Sequence, residues 1–320
     1  MQTFSRRISL QAAAAATALG LLHEQAARAN DAQKTIGLGF SLYGMKTLPT
    51  EKACQVLSEL GYDCFELPVM REWPADSAQL SQEQRRAIRN QIGERSLRLT
   101  ALMENLPAVG DEALQRQNLE RLKLAVALAH DLAAKQPPPG QPAVPLIETI
   151  LGGKAGQFEA VKGELVDRLG AWAKVLAEAQ VTLAVKAHVS NATQRPEQLL
   201  WLLDQVASPW LKAACDYSHF ELQGLALKET WDALAPKTVF IHVKDTEHSA
   251  GKRGFLLPGE GSTDYAEYFR LLAASEYRGD VVVEVSGQVF SQPDYRPIAA
   301  AEICYNHLAP AMQKGGIRRG

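Results

Sequence analysis

The sequence predicts a single closed (β/α)8 barrel behind a cleavable signal peptide, and three observations carry the barrel. Four segments, 182–189, 211–220, 238–245 and 281–286, open as apolar or small runs, which suits strands buried on both faces of a parallel sheet. Their ends carry residues an apolar core rejects: Lys186 and His188, Asp216 and His219, His242 and Asp245, and Glu284. Strand-like and helix-like patterns alternate through eight units without a second domain, and eight strands close such a barrel.

The elements follow in order. The first strand is expected at 36–41. A helix over 49–60 ends at Gly61, a residue suited to a left-handed C-cap. The second strand is 64–68. Ser81 opens the next helix, with Gln84 completing a capping box, and that helix runs to Glu94. The third strand is 97–104. Asp111 caps a long helix to about Lys135, with Leu114, Leu122, Ala125, Val126, Ala129 and Leu132 on one face. The proline-rich stretch 136–142 stops that helix and leads into the fourth strand, 145–150. A helix over 158–179 precedes the four segments above. The last helix is expected at 295–312.

The chain has 320 residues, of which 30–313 are assigned to the barrel. Residues 1–29 read as a signal peptide: Arg6-Arg7, an Ala/Leu-rich stretch over 12–22, then Ala27-Arg28-Ala29 as a small-x-small cleavage site. The arginine pair favours the twin-arginine route to the periplasm, although an aromatic residue usually stands where Ser9 does. No apolar stretch is long enough for a membrane span. The net charge is −2. Cleavage after Ala29 removes three arginines and one glutamate, leaving about −4, so nothing suggests a nucleic-acid partner. Cys54, Cys64, Cys215 and Cys304 have neither metal-ligand spacing nor a disulfide framework and read as buried thiols. Residues 314–320 are expected as a disordered basic tail. Homo-oligomerisation is left open.

The strand ends bring together Glu66, Glu104, Glu148, Lys186, His188, Asp216, His219, His242 and Glu284. Asp216, His242 and Glu284 form a one-nitrogen, two-carboxylate set suited to a divalent ion such as Mn, Mg, Co or Zn. His248, Lys252 and Arg253, in the loop after the seventh strand, are candidates for a hydroxylated or anionic substrate. Tyr43, Trp73 and Phe220 read as packing more than as a platform for a sugar face.

These residues resemble the sugar phosphate isomerase/epimerase superfamily, the xylose isomerase-like TIM barrels that include the ketose 3-epimerases. The likeness covers nearly all of the chain after residue 29. It rests on Asp216-Tyr217-Ser218-His219, His242-Val243-Lys244-Asp245, Pro258-Gly259-Glu260-Gly261 and Glu284. The resemblance implies a divalent metal on Asp216, His242 and Glu284, with His219 contacting substrate oxygens, and Glu66 is similar to the second-strand Glu of that superfamily; His248 and Lys244 are further substrate-side candidates. Glu284, Lys186 and His188 then become the candidates for catalysis.

One position departs from the pattern. The fifth strand reads Lys186-Ala187-His188, where the epimerases carry a metal-binding, proton-transferring Glu. A lysine cation about 5 Å from a divalent ion is repelled by roughly 7 kcal/mol at an effective dielectric near 20, and two carboxylates return about as much. Two states follow. A metal sits on three ligands with Lys186 beside it, which is the preferred reading, or the ammonium takes the cation's place.

The leading expectation is an exported enzyme moving a proton next to a carbonyl of a sugar or sugar derivative. A 3-keto-glycoside lyase and a sugar-binding protein without catalysis are the alternatives.

Overall fold

Parallel pairing closes the sheet on itself. A computed structural model of the chain describes residues 34–135, 137, 142–249 and 252–320, with only the backbone at 248, 249, 252 and 253. The expected signal peptide and most of the proline-rich stretch lie outside the described residues. The barrel strands are β1 (Leu38–Ser41), β2 (Cys64–Pro68), β3 (Arg98–Met103), β4 (Leu146–Ile150), β5 (Leu183–Lys186), β6 (Leu211–Asp216), β7 (Thr238–Val243) and, after a two-stranded hairpin, β10 (Val281–Val283). They form a closed barrel in chain order, with β10 pairing β1 and β7.

Local chemistry sets the helices around it. α1 (Thr50–Leu60) ends at Gly61, whose φ of 90° is open to glycine without a Cβ clash. α2 (Gln82–Glu94) starts in the capping box of Ser81 and Gln84. α3 (Glu112–Asp131) starts where Asp111 accepts the N–H of Leu114 and stops earlier than expected, before the prolines. Ala134 N–H then reaches Ala143 O at 2.8 Å, so the proline-rich stretch connects elements of one barrel. α4 (Phe158–Ala179) and α5 (Pro196–Val206) complete the middle of the helical ring. The four cysteines are free and buried, and burial pushes the thiols of Cys54 and Cys215 up to about 12.

Four expectations need correction. The first strand begins at Leu38, because Ile36 donates instead to Arg318 O at 3.0 Å. The tail expected to be disordered is held: Ile317 is buried, Arg318 N–H donates to Lys34 O, and the Arg319 guanidinium grips Asp63 and the Gly61 carbonyl. The sixth strand stops at Asp216, and residues 217–221 wind into a short helix, α6 (Tyr217–Glu221). The loop after β7 is an antiparallel hairpin of β8 (Asp245–Ser249) and β9 (Lys252–Leu256).

α7 (Leu227–Leu234) precedes β7; beyond the hairpin, α8 (Tyr265–Ala274) leads to β10, and after the short α9 (Gly287–Phe290) α10 (Pro297–Lys314) closes the ring. α10 begins at a proline, whose fixed φ suits the first helical position. Among the described residues no helix is long and apolar enough to cross a membrane.

Candidate active site

The site rests on an apolar floor. Cys64, Ala101, Ala184, Ala214, Phe240 and Val282 form a buried cluster inside the barrel. Successive inward side chains on a strand are two residues apart. Two residues beyond these floor positions stand Glu66, Lys186, Asp216, His242 and Glu284, and Glu148 stands two beyond Leu146, which packs on the same floor. The strand period therefore explains why polar ends from separate segments meet at one level. Phe240 supports His242 directly, with ring centroids 4.8 Å apart.

The upper part of this layer lines a cavity of about 80 Å³ with Lys186, His188, His219, Lys244, Glu284, Tyr43, Asn105, Phe255 and Ser286 among its walls. Lys186 Nζ donates to Glu284 Oε1 at 2.9 Å and meets His242 Nδ1 at 3.0 Å. It also lies 3.3 Å from Glu148 Oε1 and 3.8 Å from Asp216 Oδ2. Lys244 Nζ bridges Asp216 Oδ2 and Glu284 Oε2. Beneath, His242 Nε2 meets Glu66 Oε2 at 3.0 Å, and Ser41 Oγ donates to the same oxygen at 2.5 Å.

Charge explains the protonation states. Burial disfavours the Glu284 carboxylate, but Lys186 and Lys244 outweigh it and hold the pKa well below the usual range. Asp216 is likewise held low against burial, chiefly by Lys244 and His219. Burial opposes the Lys186 ammonium, yet Glu148, Glu284 and Asp216 raise its pKa above the ordinary value. Glu148 goes the other way: burial lifts it to about 7 despite Lys186. Neither of its carboxyl oxygens has a hydrogen bond among the described residues.

Two imidazoles wall the cavity. His188 and His219 pack with centroids 4.0 Å apart, and the edge of Phe255 closes on His219 at 5.0 Å. Burial is the first cause that keeps both neutral, lowering His188 to about 2 and His219 to about 4. The Ser190 N–H donates to His188 Nδ1 at 3.2 Å, which leaves its hydrogen on Nε2. His219 Nε2 lies 3.4 Å from Asp216 Oδ2, and its Nδ1 has no hydrogen bond among the described residues.

A profile of the xylose isomerase-like TIM barrel family matches residues 54–303. The chain belongs to that family. Fructoselysine 3-epimerase of Shigella flexneri is 24% identical over 263 residues, covering 80% of this chain and 92% of that protein. Among solved structures, the IOLI protein with a bound zinc atom superposes with a TM-score of 0.71 at 16% identity, covering 87% of this chain and 99% of that one. The 3-keto-D-glucoside 4-epimerase of E. coli gives 0.66 at 13%, covering 87% and 100%.

The donor set can be tested for a metal. Two buried groups, Glu66/Glu148/His242 and Asp216/His219/Glu284, each offer ligand atoms within 4.8 Å of one another. The expected set of Asp216, His242 and Glu284 is divided between them. Both ring nitrogens of His242 are engaged, by Lys186 and by Glu66. The space between Asp216 and Glu284 holds the Lys244 ammonium. An ammonium about 4 Å from a divalent ion is repelled by roughly 8 kcal/mol at an effective dielectric near 20. As arranged, these three residues do not fit a metal, and the ammonium groups stand in the cation's place.

The remaining expected residues divide as follows. Lys186, His188, His219, Lys244 and Glu284 share the cavity, while Glu66, Asp216 and His242 lie buried and outside its lining. Glu104 turns away to Arg121 at 2.6 Å. The side chain of His248 lies outside the described part of the hairpin. Phe220 is fully buried in the core and offers no face to a sugar. Tyr43 does reach the cavity, backed by Trp73 stacked at 4.8 Å. Sequence reasoning missed Ser41, Asn105, Phe255 and Ser286. The first could have been found from its place at the end of β1, beside Glu66 in register.

The Pro258–Gly261 motif holds a loop rather than a ligand. Asp245 Oδ2 accepts the N–H groups of Gly259 at 2.7 Å and Gly261 at 2.9 Å. A Cβ on Gly261 would lie 2.6 Å from Thr246 O, so only glycine fits there.

Proposed function

We propose that the chain is an exported enzyme of the isomerase or epimerase kind, acting on a sugar or sugar derivative by proton transfer next to a carbonyl. One observation carries the reading. Lys186, Lys244 and Glu284 face one small cavity, so hydrogen-bond donors and a carboxylate converge on the same space. The fructoselysine and keto-glucoside epimerases supply the substrate class. The arginine pair and small-x-small site of residues 1–29 support a periplasmic location.

In this scheme the carbonyl oxygen of the substrate enters between the two ammonium groups. Glu284 takes the proton from the neighbouring carbon, and the C–H electron pair moves onto the oxygen. Lys186 and Lys244 donate to the oxyanion that forms. A substrate oxygen competes with Glu284 for those donors and so restores basicity to the carboxylate at the moment it is needed. His188 donates through its Nε2–H. His219, with Nε2 beside Asp216 and Nδ1 without a hydrogen bond among the described residues, orients hydroxyl groups. Lys186 gives a proton to the carbon, and the proton held by Glu284 passes to Lys186 along their 2.9 Å hydrogen bond, which restores both groups.

A lyase is the second reading. Where an epimerase uses two carboxylates, Glu284 alone among the described acidic residues lines this cavity, which suits removal of one proton and loss of a leaving group at the β position. Incubation in D2O with ketoses and with 3-keto-glycosides, followed by NMR, tests both. Deuterium entering the carbon next to the carbonyl, with a new epimer, supports the first. Release of the aglycone supports the second. No exchange and no product with either class would leave neither standing.

A further inference from the structure

We infer that the mouth of this barrel works without a divalent metal, and that Lys186 and Lys244 together form the site for the oxyanion of an α-hydroxy carbonyl ligand. The two ammonium groups are fixed by opposite edges of one carboxylate: Lys186 holds Glu284 Oε1, and Lys244 holds Glu284 Oε2. Asp216 closes the array beneath them. Both lysines are almost fully buried, yet both line the cavity. Both ammonium groups therefore border the space a ligand would fill, and hydrogen bonds to charge made in a buried site are strong.

The same contacts remove the metal's coordination sites. Lys244 occupies the gap between the two carboxylates. Lys186 donates to His242 Nδ1, so the hydrogen of that ring sits on Nε2 and points to Glu66. An ion would have to displace an ammonium and turn an imidazole held at both ends. Each lysine also has a reason for its place that a loose surface lysine lacks: Lys186 ends β5 two residues above Ala184, and Lys244 follows β7 with its head against the Phe255 ring, 5.1 Å from the centroid. The cavity of about 80 Å³ admits a fragment the size of a two-carbon hydroxy acid.

The inference deepens the reading above and shares its site, but the measurements need no turnover, so either can fail alone. The protein after signal removal is incubated separately with excess Mn, Co and Zn, desalted, and subjected to elemental analysis and thermal melting. Below about 0.1 metal atom per chain and an unchanged melting temperature are expected. Glycolate, as the oxyanion probe, is titrated by calorimetry into the metal-free protein. Its affinity is expected to fall at least tenfold in Lys244→Met. Because that change can loosen the fold, Lys186→Met paired with Glu148→Gln, which removes one cation and one carboxylate together, serves as the second variant and is expected to show the same loss. One metal atom per chain in the unaltered protein, lost in Asp216→Asn or in Glu148→Gln, overturns the inference. So does glycolate binding that both lysine variants leave unchanged.

Discussion

Lys186 Nζ lies 3.0 Å from His242 Nδ1, with both side chains buried in the barrel. An ammonium can only donate, so Nδ1 accepts and the ring hydrogen resides on Nε2, directed at Glu66. Ser41 completes the line by donating to the same Glu66 oxygen. The line couples the ligand cavity to the barrel interior and makes Lys186 a structural cation as well as a chemical one.

Lys186→Met should therefore be costly to the fold. It leaves Glu148, Asp216 and Glu284 with one buried cation fewer, and breaking a buried pair from one side costs about 3–5 kcal/mol. Urea denaturation of the two proteins at neutral pH checks this. A difference within about 1 kcal/mol would mean the carboxylates do not depend on Lys186.

Catalysis should respond strongly to Lys244. Losing one preorganised donor to a developing oxyanion lowers kcat by about 10²–10³. Lys244→Gln keeps a donor without charge and should lose less than Lys244→Met on the substrate that the D2O assay identifies. Equal losses in the two variants would assign Lys244 a packing role only.

Most of the barrel could be read from the chain because burial on both faces writes continuous apolar runs, and the capping residues at Ser81, Asp111 and Gly61 mark helix ends. Glu284, Asp216 and Lys186 were visible as polar residues ending apolar strands. Which neighbours they would take was not. The bridge from Lys244 to both carboxylates spans β6, β7 and the end of β10, and no local pattern encodes a contact across three strands. The hairpin hid for a related reason: 245–256 lacks an apolar alternation, and its pairing is set by backbone register from Asp245↔Leu256 to Ser249↔Lys252. The tail looked basic and free, and only its partners Asp63 and Gly61, far away in sequence, explain its order.

Phe255 should govern the size of ligand the site accepts. It reaches the cavity from β9 and packs against His219 and Lys244. Sites for small molecules commonly exceed about 300 Å³, well above the present cavity. Phe255→Ala should shift kcat/KM at least about tenfold toward a bulky keto-glycoside relative to a free ketose, a step in the range that apolar wall contacts provide. An unchanged ratio would place the ligand away from β9.

Acid should weaken the fold through His219 before it reaches Asp216 and Glu284. His219 is buried neutral, with its pKa lowered from the ordinary 6.5 to about 4, chiefly by burial. Below pH 6.5 the unfolded chain takes up a proton that the folded chain refuses, so this contribution is fully present above pH 6.5 and is lost as pH falls toward 4. Two and a half units correspond to on the order of 3 kcal/mol. His188, lowered to about 2 with burial as its first cause, adds in the same direction over a wider range. Asp216 and Glu284, held low by the lysines, contribute above their unfolded values near 4 and lose that contribution only in stronger acid. Glu148, lifted to about 7 by burial, gains stability over the same fall in pH, so the His219 contribution is read as a difference: between pH 7 and 4 the denaturation midpoint of the unaltered protein should drop relative to that of His219→Gln, whose amide cannot take a proton. Parallel slopes for the two proteins would show that His219 is charged or solvated in the fold and would remove it from the neutral wall of the site.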